Sequence, residues 1–331
     1  MSSNDLSSED NEAIAAPGAA IDRRTFVHRA GAAGVALAAA AATGRFAAAA
    51  QAHQPKLLVP RHRIGIGLEE YAFSKQPPAD VYTKLDEIRS IGYRATELIE
   101  FNGFPGGVDR AKDVRGLLQK AGLHGVGNFH LTYATPNNIR NALDTFVEQD
   151  KAAGMINFGM VAAEHDAGWQ TEEKYKELAR DFNTWGAITK KAGMKFYLHN
   201  EDWVYDRDPR TGKVLYDVWI EETDPDLVFF CLDVFMVAYR GFDPVDYVQR
   251  LEKDDRLTHF HMKDWSGHLP APGQSRSDVT RDVGQGVIDF QRIFKAIKKP
   301  EEYWYIVERE ASPDPSQTAR NSYEYLANLA A

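Results

Sequence analysis

Acidic and imidazole side chains recur along this chain at a nearly constant interval. Glu69, Glu97, His130, Glu164, His199, Asp233 and His261 follow one another at steps of 28, 33, 34, 35, 34 and 28 residues. Several of them close a short apolar run. Asp233 ends Phe229-Phe230-Cys231-Leu232, and Glu308 ends Tyr305-Ile306-Val307. A carboxylate in such a setting is costly unless it is paired or holds a cation. In His259-Phe260-His261-Met262-Lys263-Asp264 a period of two sets His259, His261 and Lys263 on one face of a strand. Imidazole and carboxylate donors brought together from neighbouring strands suit one divalent ion: Mn2+, Zn2+, Co2+ or Mg2+. The same groups can take and return protons. Singly, each position reads equally well as a core histidine or a salt-bridged acid. The regular spacing makes them a set.

Elements that would position such a set are marked by glycines. Ser90-Ile91-Gly92-Tyr93, Lys120-Ala121-Gly122-Leu123, Ala152-Ala153-Gly154-Met155 and Lys191-Ala192-Gly193-Met194 each put a glycine after a helical run and a large apolar residue after the glycine. Glycine just past a helix end adopts the left-handed conformation without steric cost. Val81, Leu85 and Ile88, then Ile139, Leu143 and Phe146, then Leu178, Phe182 and Trp185 recur at helical spacing. Thr135-Pro136 supplies a cap and a first residue for the second of these helices. Strands are predicted near 63–69, 95–100, 124–131, 155–162, 194–200, 227–234, 257–263 and 303–309. Strands separated by helices predict a parallel sheet. No G-x-G-x-x-G opens a helix after the first strand. Eight near-equal units therefore predict an α/β chain closed into a (β/α)8 TIM barrel rather than an open, doubly wound sheet. The C-terminal ends of barrel strands form one mouth, where the spaced residues converge.

Several motifs resemble the xylose-isomerase-like sugar isomerase/epimerase superfamily. They are Leu232-Asp233-Val234-Phe235, the run from His261 to Asp264, the loop Val283-Gly284-Gln285-Gly286-Val287-Ile288-Asp289, and Val307-Glu308; Gly92-Tyr93 to Glu97 is similar too. The likeness covers about residues 62–330. It implies a single divalent metal held by Glu, Asp, His and Glu from strands five to eight, which carries over to Asp233, His261 and Glu308. Strand five departs from the pattern. It ends Leu198-His199-Asn200-Glu201, so His199 stands where the first Glu is expected, and Glu201 two residues on is the alternative ligand. The resemblance also gives the ligand glutamates proton transfers. Glu308 is then one base, with Glu201 or Lys263 serving the other face. His130 and Glu97 are expected to bind substrate hydroxyls, and Trp265 and Trp203 to wall a sugar ring.

The expected reaction is removal of a proton next to a sugar carbonyl, leading to isomerisation or epimerisation. The alternative is β-elimination from a 3-keto-glycoside, which begins with the same proton transfer. A non-catalytic sugar-binding protein would need no buried acid/base pair. A nuclease of the related endonuclease kind would need several more metal-binding histidines.

The chain has 331 residues, 44% of them hydrophobic, and a formal net charge of −9. Without a basic run, such a chain is a poor electrostatic match for nucleic acid or a membrane surface. Its one cysteine, Cys231, forbids an intramolecular disulfide. Residues 1–52 differ in kind. A twin-arginine pattern, Asp22-Arg23-Arg24-Thr25-Phe26-Val27, precedes an Ala/Gly run from Ala30 to Gly44 that is too short and weakly apolar to span a bilayer. Small residues from Ala47 to Ala52 suit signal cleavage. A twin-arginine signal peptide, handled by that export machinery and delivering one barrel domain (53–331) to the periplasm, is expected. Export favours a free or glycosidic sugar over a sugar phosphate as the small-molecule partner. A homo-oligomer is compatible with this composition.

Overall fold

Eight short apolar segments form the strands β1 (Ile64–Gly67), β2 (Ala95–Leu98), β3 (His124–Leu131), β4 (Asn157–Val161), β5 (Lys195–His199), β6 (Val228–Asp233), β7 (Leu257–Met262) and β8 (Trp304–Val307). The computed structural model describes residues 56–100, 103–131, 136–161 and 169–331. The expected leader lies outside these, as do Glu164 and His165. Each strand pairs in parallel with the next, and β8 closes on β1 with Ile64 opposite Tyr305 and Ile66 opposite Val307. The TIM barrel expected from the sequence is therefore observed, and its strand ends depart from expectation by no more than two residues. Parallel strands covered on both faces need continuous apolar runs. Accordingly every residue of β1, β2 and β8 is buried.

Helices run back along the outside of the barrel. The four junction glycines, Gly92, Gly122, Gly154 and Gly193, all have positive φ, from 69° to 135°. One helix starts at Pro136 and ends at Ala153. The helix Glu172–Lys191 is capped by Thr171, whose hydroxyl accepts from Lys174 N, and it buries Leu178, Phe182 and Trp185. No helix among the described residues is long and apolar enough to cross a membrane.

One irregularity decides which side chains enter the barrel. Thr96 stands opposite Gly125 and Leu98 opposite Asn128, so two steps on β2 face three on β3. An extra residue of this kind reverses the side-chain alternation beyond it. Val126 packs with Ala95, Trp304 and Ile306 inside the barrel, and three residues later Phe129 is again inside. His130 is thereby turned outward.

At the far end of the barrel, Arg256 is 2% exposed. Its guanidinium donates to Val228 O, to Ile220 O at 2.7 Å and to Thr223 Oγ1 at 2.6 Å. Arg256→Ala leaves these acceptors buried and unsatisfied, at ~1–3 kcal/mol for each that water does not reach. Urea unfolding should show a loss of about 2–4 kcal/mol with unchanged circular dichroism. A loss below ~1 kcal/mol would mean that water replaces the guanidinium.

Candidate active site

A cavity of about 340 Å³ opens at the C-terminal ends of the strands. Glu69 after β1, His199 and Glu201 from the end of β5, Lys263 after β7, and Glu308 and Glu310 after β8 reach it, with Arg276 and Ser277 from the long loop between β7 and β8. Phe73, Phe129, Val161 and Ala311 form its apolar part.

Backbone contacts fix the acid of β6. Asp233 Oδ1 accepts from Phe235 N at 2.8 Å and Met236 N at 3.2 Å, capping the helix Val234–Tyr239. Asn200 holds the same residue's backbone in a reciprocal pair: its Oδ1 accepts from Asp233 N and its amide donates to Asp233 O. The other oxygen, Oδ2, is left facing Lys263 Nζ at 3.2 Å and His199 Nε2 at 3.6 Å. Burial opposes ionisation of Asp233, but Lys263 and His199 outweigh it and hold the carboxyl well below the usual range.

Glu308 occupies space that Gly67 leaves open, since a Cβ there would stand 2.8 Å from Glu308 Oε1. Glu308 Oε2 lies 3.0 Å from His261 Nδ1 and 3.4 Å from Lys263 Nζ. Lys263 is 1% exposed and also reaches Glu310 at 3.2 Å. Burial works against its charge, yet Asp233, Glu310 and Glu308 push its pKa well above the ordinary value. Lys263, which the sequence offered as a base for one face of the substrate, thus stands among three carboxylates at the cavity. Glu310 is drawn down to about 2: burial opposes this, and Lys263 and Arg276 overcome it. Arg276 bridges Glu201 at 2.8 Å, Asp202, and Glu310 at 3.3 Å, joining the loops after β5 and β8. Glu69 has no ion-pair partner among the described residues. Burial first, and the charge of Glu308 second, push its carboxyl well above the usual range.

Four of these residues present buried polar atoms without a hydrogen bond: both ring nitrogens of His199, Asp233 Oδ2, His261 Nδ1 and Glu308 Oε1. Donor atoms of His199, Asp233 and His261 all lie within 4.8 Å of one another, and so do those of Glu97, His261 and Glu308. Leaving so many polar atoms without a hydrogen bond in one buried spot is unfavourable, and a divalent cation is the group whose charge and coordination would satisfy the lone pairs among them. The residues therefore fit a metal. Glu201 joins neither cluster; its Oε2 is held by Arg276, and its Oε1 stands 3.7 Å from His199 Nδ1.

Three expected substrate contacts are placed elsewhere. His130 lies outside the barrel, stacked between Phe146 and Phe158 and bonded to Asp150 at 2.8 Å. Glu97 points inside but is fully buried, with Tyr197, His259 and His261 on its oxygens. Burial opposes its ionisation, and the two histidines hold it well below the usual range. Trp265 sits in a short antiparallel pair with Thr280, its Nε1 donating to His268 O and its ring edge-on to Tyr239, away from the cavity lining. The Gly-x-Gly loop proves architectural. Asp264 Oδ2 accepts from Gly284 N and Gly286 N, both at 2.9 Å, and Oδ1 accepts from Ile288 N at 3.1 Å.

In the sequence Glu69 is marked only as a strand-end acid, and Arg276 and Ser277 are not marked at all. Nothing periodic marks a side chain in a long loop. Tyr197 could have been found, because it precedes His199 by two on the same strand face.

Comparison with known proteins agrees with the barrel fold. A family model described as xylose isomerase-like TIM barrel matches residues 85–329. The inosose dehydratase of Clostridium tetani is 28% identical over 174 residues, covering 49% of this chain and 56% of that protein. The chain thus matches about half the length of this curated relative. A solved structure of a sugar phosphate isomerase/epimerase from Parabacteroides distasonis superposes with a TM-score of 0.62 at 21% identity, covering 84% of this chain and 96% of that one. The IOLI protein, solved with a bound zinc atom, gives a TM-score of 0.61 at 15% identity over 80% of this chain and 97% of that one.

Proposed function

The chain belongs to the xylose isomerase-like TIM barrel family, and on that premise we propose that it is a metal-dependent lyase, acting by β-elimination on a polyhydroxylated ketone. The reading is carried by the pairing, in one cavity, of Glu308, whose Oε1 is unbonded, with Glu69, a lining carboxyl without an ion-pair partner among the described residues. His199, Asp233, His261 and Glu308 would hold the divalent ion. Bound there, it supplies Lewis acidity toward negative charge developing on the substrate's carbonyl oxygen.

The chain's own groups do the rest. Glu308 takes the proton from the carbon next to the carbonyl. The electron pair moves into a new carbon–carbon double bond and expels the oxygen on the next carbon. Glu69 gives that oxygen a proton, so water or an alcohol departs. The ammonium of Lys263 and the guanidinium of Arg276 stabilise the charge built up meanwhile. Phe73, Phe129 and Val161 limit water around the acidic carbon. The dehydratase name of the curated relative supports elimination over the isomerisation expected from the sequence.

The test is incubation of metal-loaded protein in D2O with an inosose and with a 3-keto-glycoside. Elimination yields an unsaturated product lacking water or alcohol. Deuterium entering the α-carbon of an otherwise intact substrate would replace the lyase with an epimerase. Neither product nor exchange from any substrate of this class would refute both.

A further inference from the structure

Glu97 lies in a polar layer beneath the cavity. Its Oε1 accepts from Tyr197 Oη and from His259 Nε2 at 2.9 Å, and its Oε2 meets His261 Nε2 at 2.6 Å. The remaining nitrogen of His259 meets Thr258 Oγ1 at 2.9 Å. The remaining nitrogen of His261 makes no hydrogen bond and faces Glu308 Oε2 at 3.0 Å. Tyr197 in turn lies against Gly127, where a Cβ would stand 2.7 Å from its hydroxyl, so the ring depends on the space that glycine leaves. A carboxylate can only accept, so the proton between Glu97 and His261 belongs to Nε2 of the ring. In the neutral ring the lone pair is then on Nδ1.

We propose that Glu97 is a positioning residue that fixes the proton of His261 on Nε2, and so presents Nδ1 as the ligand to a divalent ion shared with His199, Asp233 and Glu308. The assignment rests on the metal-dependent reading of the site. It gives Glu97 a place behind the ligand rather than among the ligands or at the substrate. Tyr197 and His259 occupy its other oxygen and hold the carboxylate in register. Outer partners of this kind commonly change metal affinity by ~10–100-fold.

Zn2+ affinity by competition with a chelator, and the ligand-field absorption of the Co2+-loaded protein, test the assignment in Glu97→Gln. The amide keeps the size but cannot accept from both histidines. Its Zn2+ dissociation constant should rise ~10–100-fold while the Co2+ band shape is retained. Tyr197→Phe, which removes one donor from the other oxygen but spares the bond to His261, should raise the dissociation constant by less than Glu97→Gln does; an equal or larger rise would overturn the proposal. An altered Co2+ spectrum in Glu97→Gln would make Glu97 itself a ligand and overturn the proposal, as would an unchanged affinity. Nitrogen-15 NMR of histidine-labelled, Zn2+-loaded wild-type protein gives a readout independent of any variant's folding: His261 should carry its proton on Nε2 and its metal on Nδ1. The reverse assignment would overturn the proposal. Wild-type protein that binds no divalent ion would instead sink the reading of the site, an outcome distinct from tight binding that ignores Glu97.

Discussion

Glu308→Gln is expected to lower turnover by ~10²–10⁴-fold even when metal is saturating, the usual contribution of a positioned acid/base group. The substitution keeps the shape that Gly67 accommodates and one oxygen to face His261, but removes the basic carboxylate. If Glu308 only held the ion, raising its concentration would restore most of the activity. As the base, it acts mainly in the transition state, so kcat should fall with little change in KM. Glu310 provides an internal comparison. It is committed to Lys263, Arg276 and Ser277, so Glu310→Gln should act through the loop and cost far less. Near-wild-type turnover of metal-saturated Glu308→Gln would move the base assignment to Glu201.

Asp233→Asn should abolish stoichiometric metal binding while leaving the barrel folded. The asparagine oxygen can still accept from Phe235 N and Met236 N, so the cap of the following helix survives. What is lost is the anionic oxygen facing His199 and Lys263. Elemental analysis of purified protein should fall from about one ion per chain to near none, with His261→Ala behaving alike. Normal metal content in both variants would remove the site from these residues. A drop in metal accompanied by loss of circular dichroism would instead assign Asp233 a structural part.

Much of the site was legible because it sits on strands. Asp233, His261 and Glu308 each end an apolar run, and a barrel sends all its strand ends to one face. Asp233 and Glu308 each offer a ligand atom within 4.8 Å of one on His261. His199 and Glu201 could not be ranked from the sequence, since both lie at the end of β5 on the same face. The structure separates them by their partners. His199 clusters with Asp233 and His261, whereas Arg276, from a loop seventy-odd residues later, takes hold of Glu201.

The barrel follows from local features of the chain. Apolar runs of strand length, helical periodicity between them and glycines at the junctions are local signals, and eight repeats of one unit leave little choice of topology. Which polar residues meet depends on the three-dimensional pairing of the strands. Alternation along β3 would have carried His130 inside with Val126, but one extra residue opposite Thr96–Leu98 turned it out to Asp150 and brought Phe129 in. Glu97 did point inward, yet His259, His261 and Tyr197 converged on its oxygens from strands far away in sequence. The physical reason is that a side chain's direction depends on register between neighbouring strands, and its chemistry on which charges lie within a few ångströms. Both are set by pairings remote in sequence, which no local pattern records.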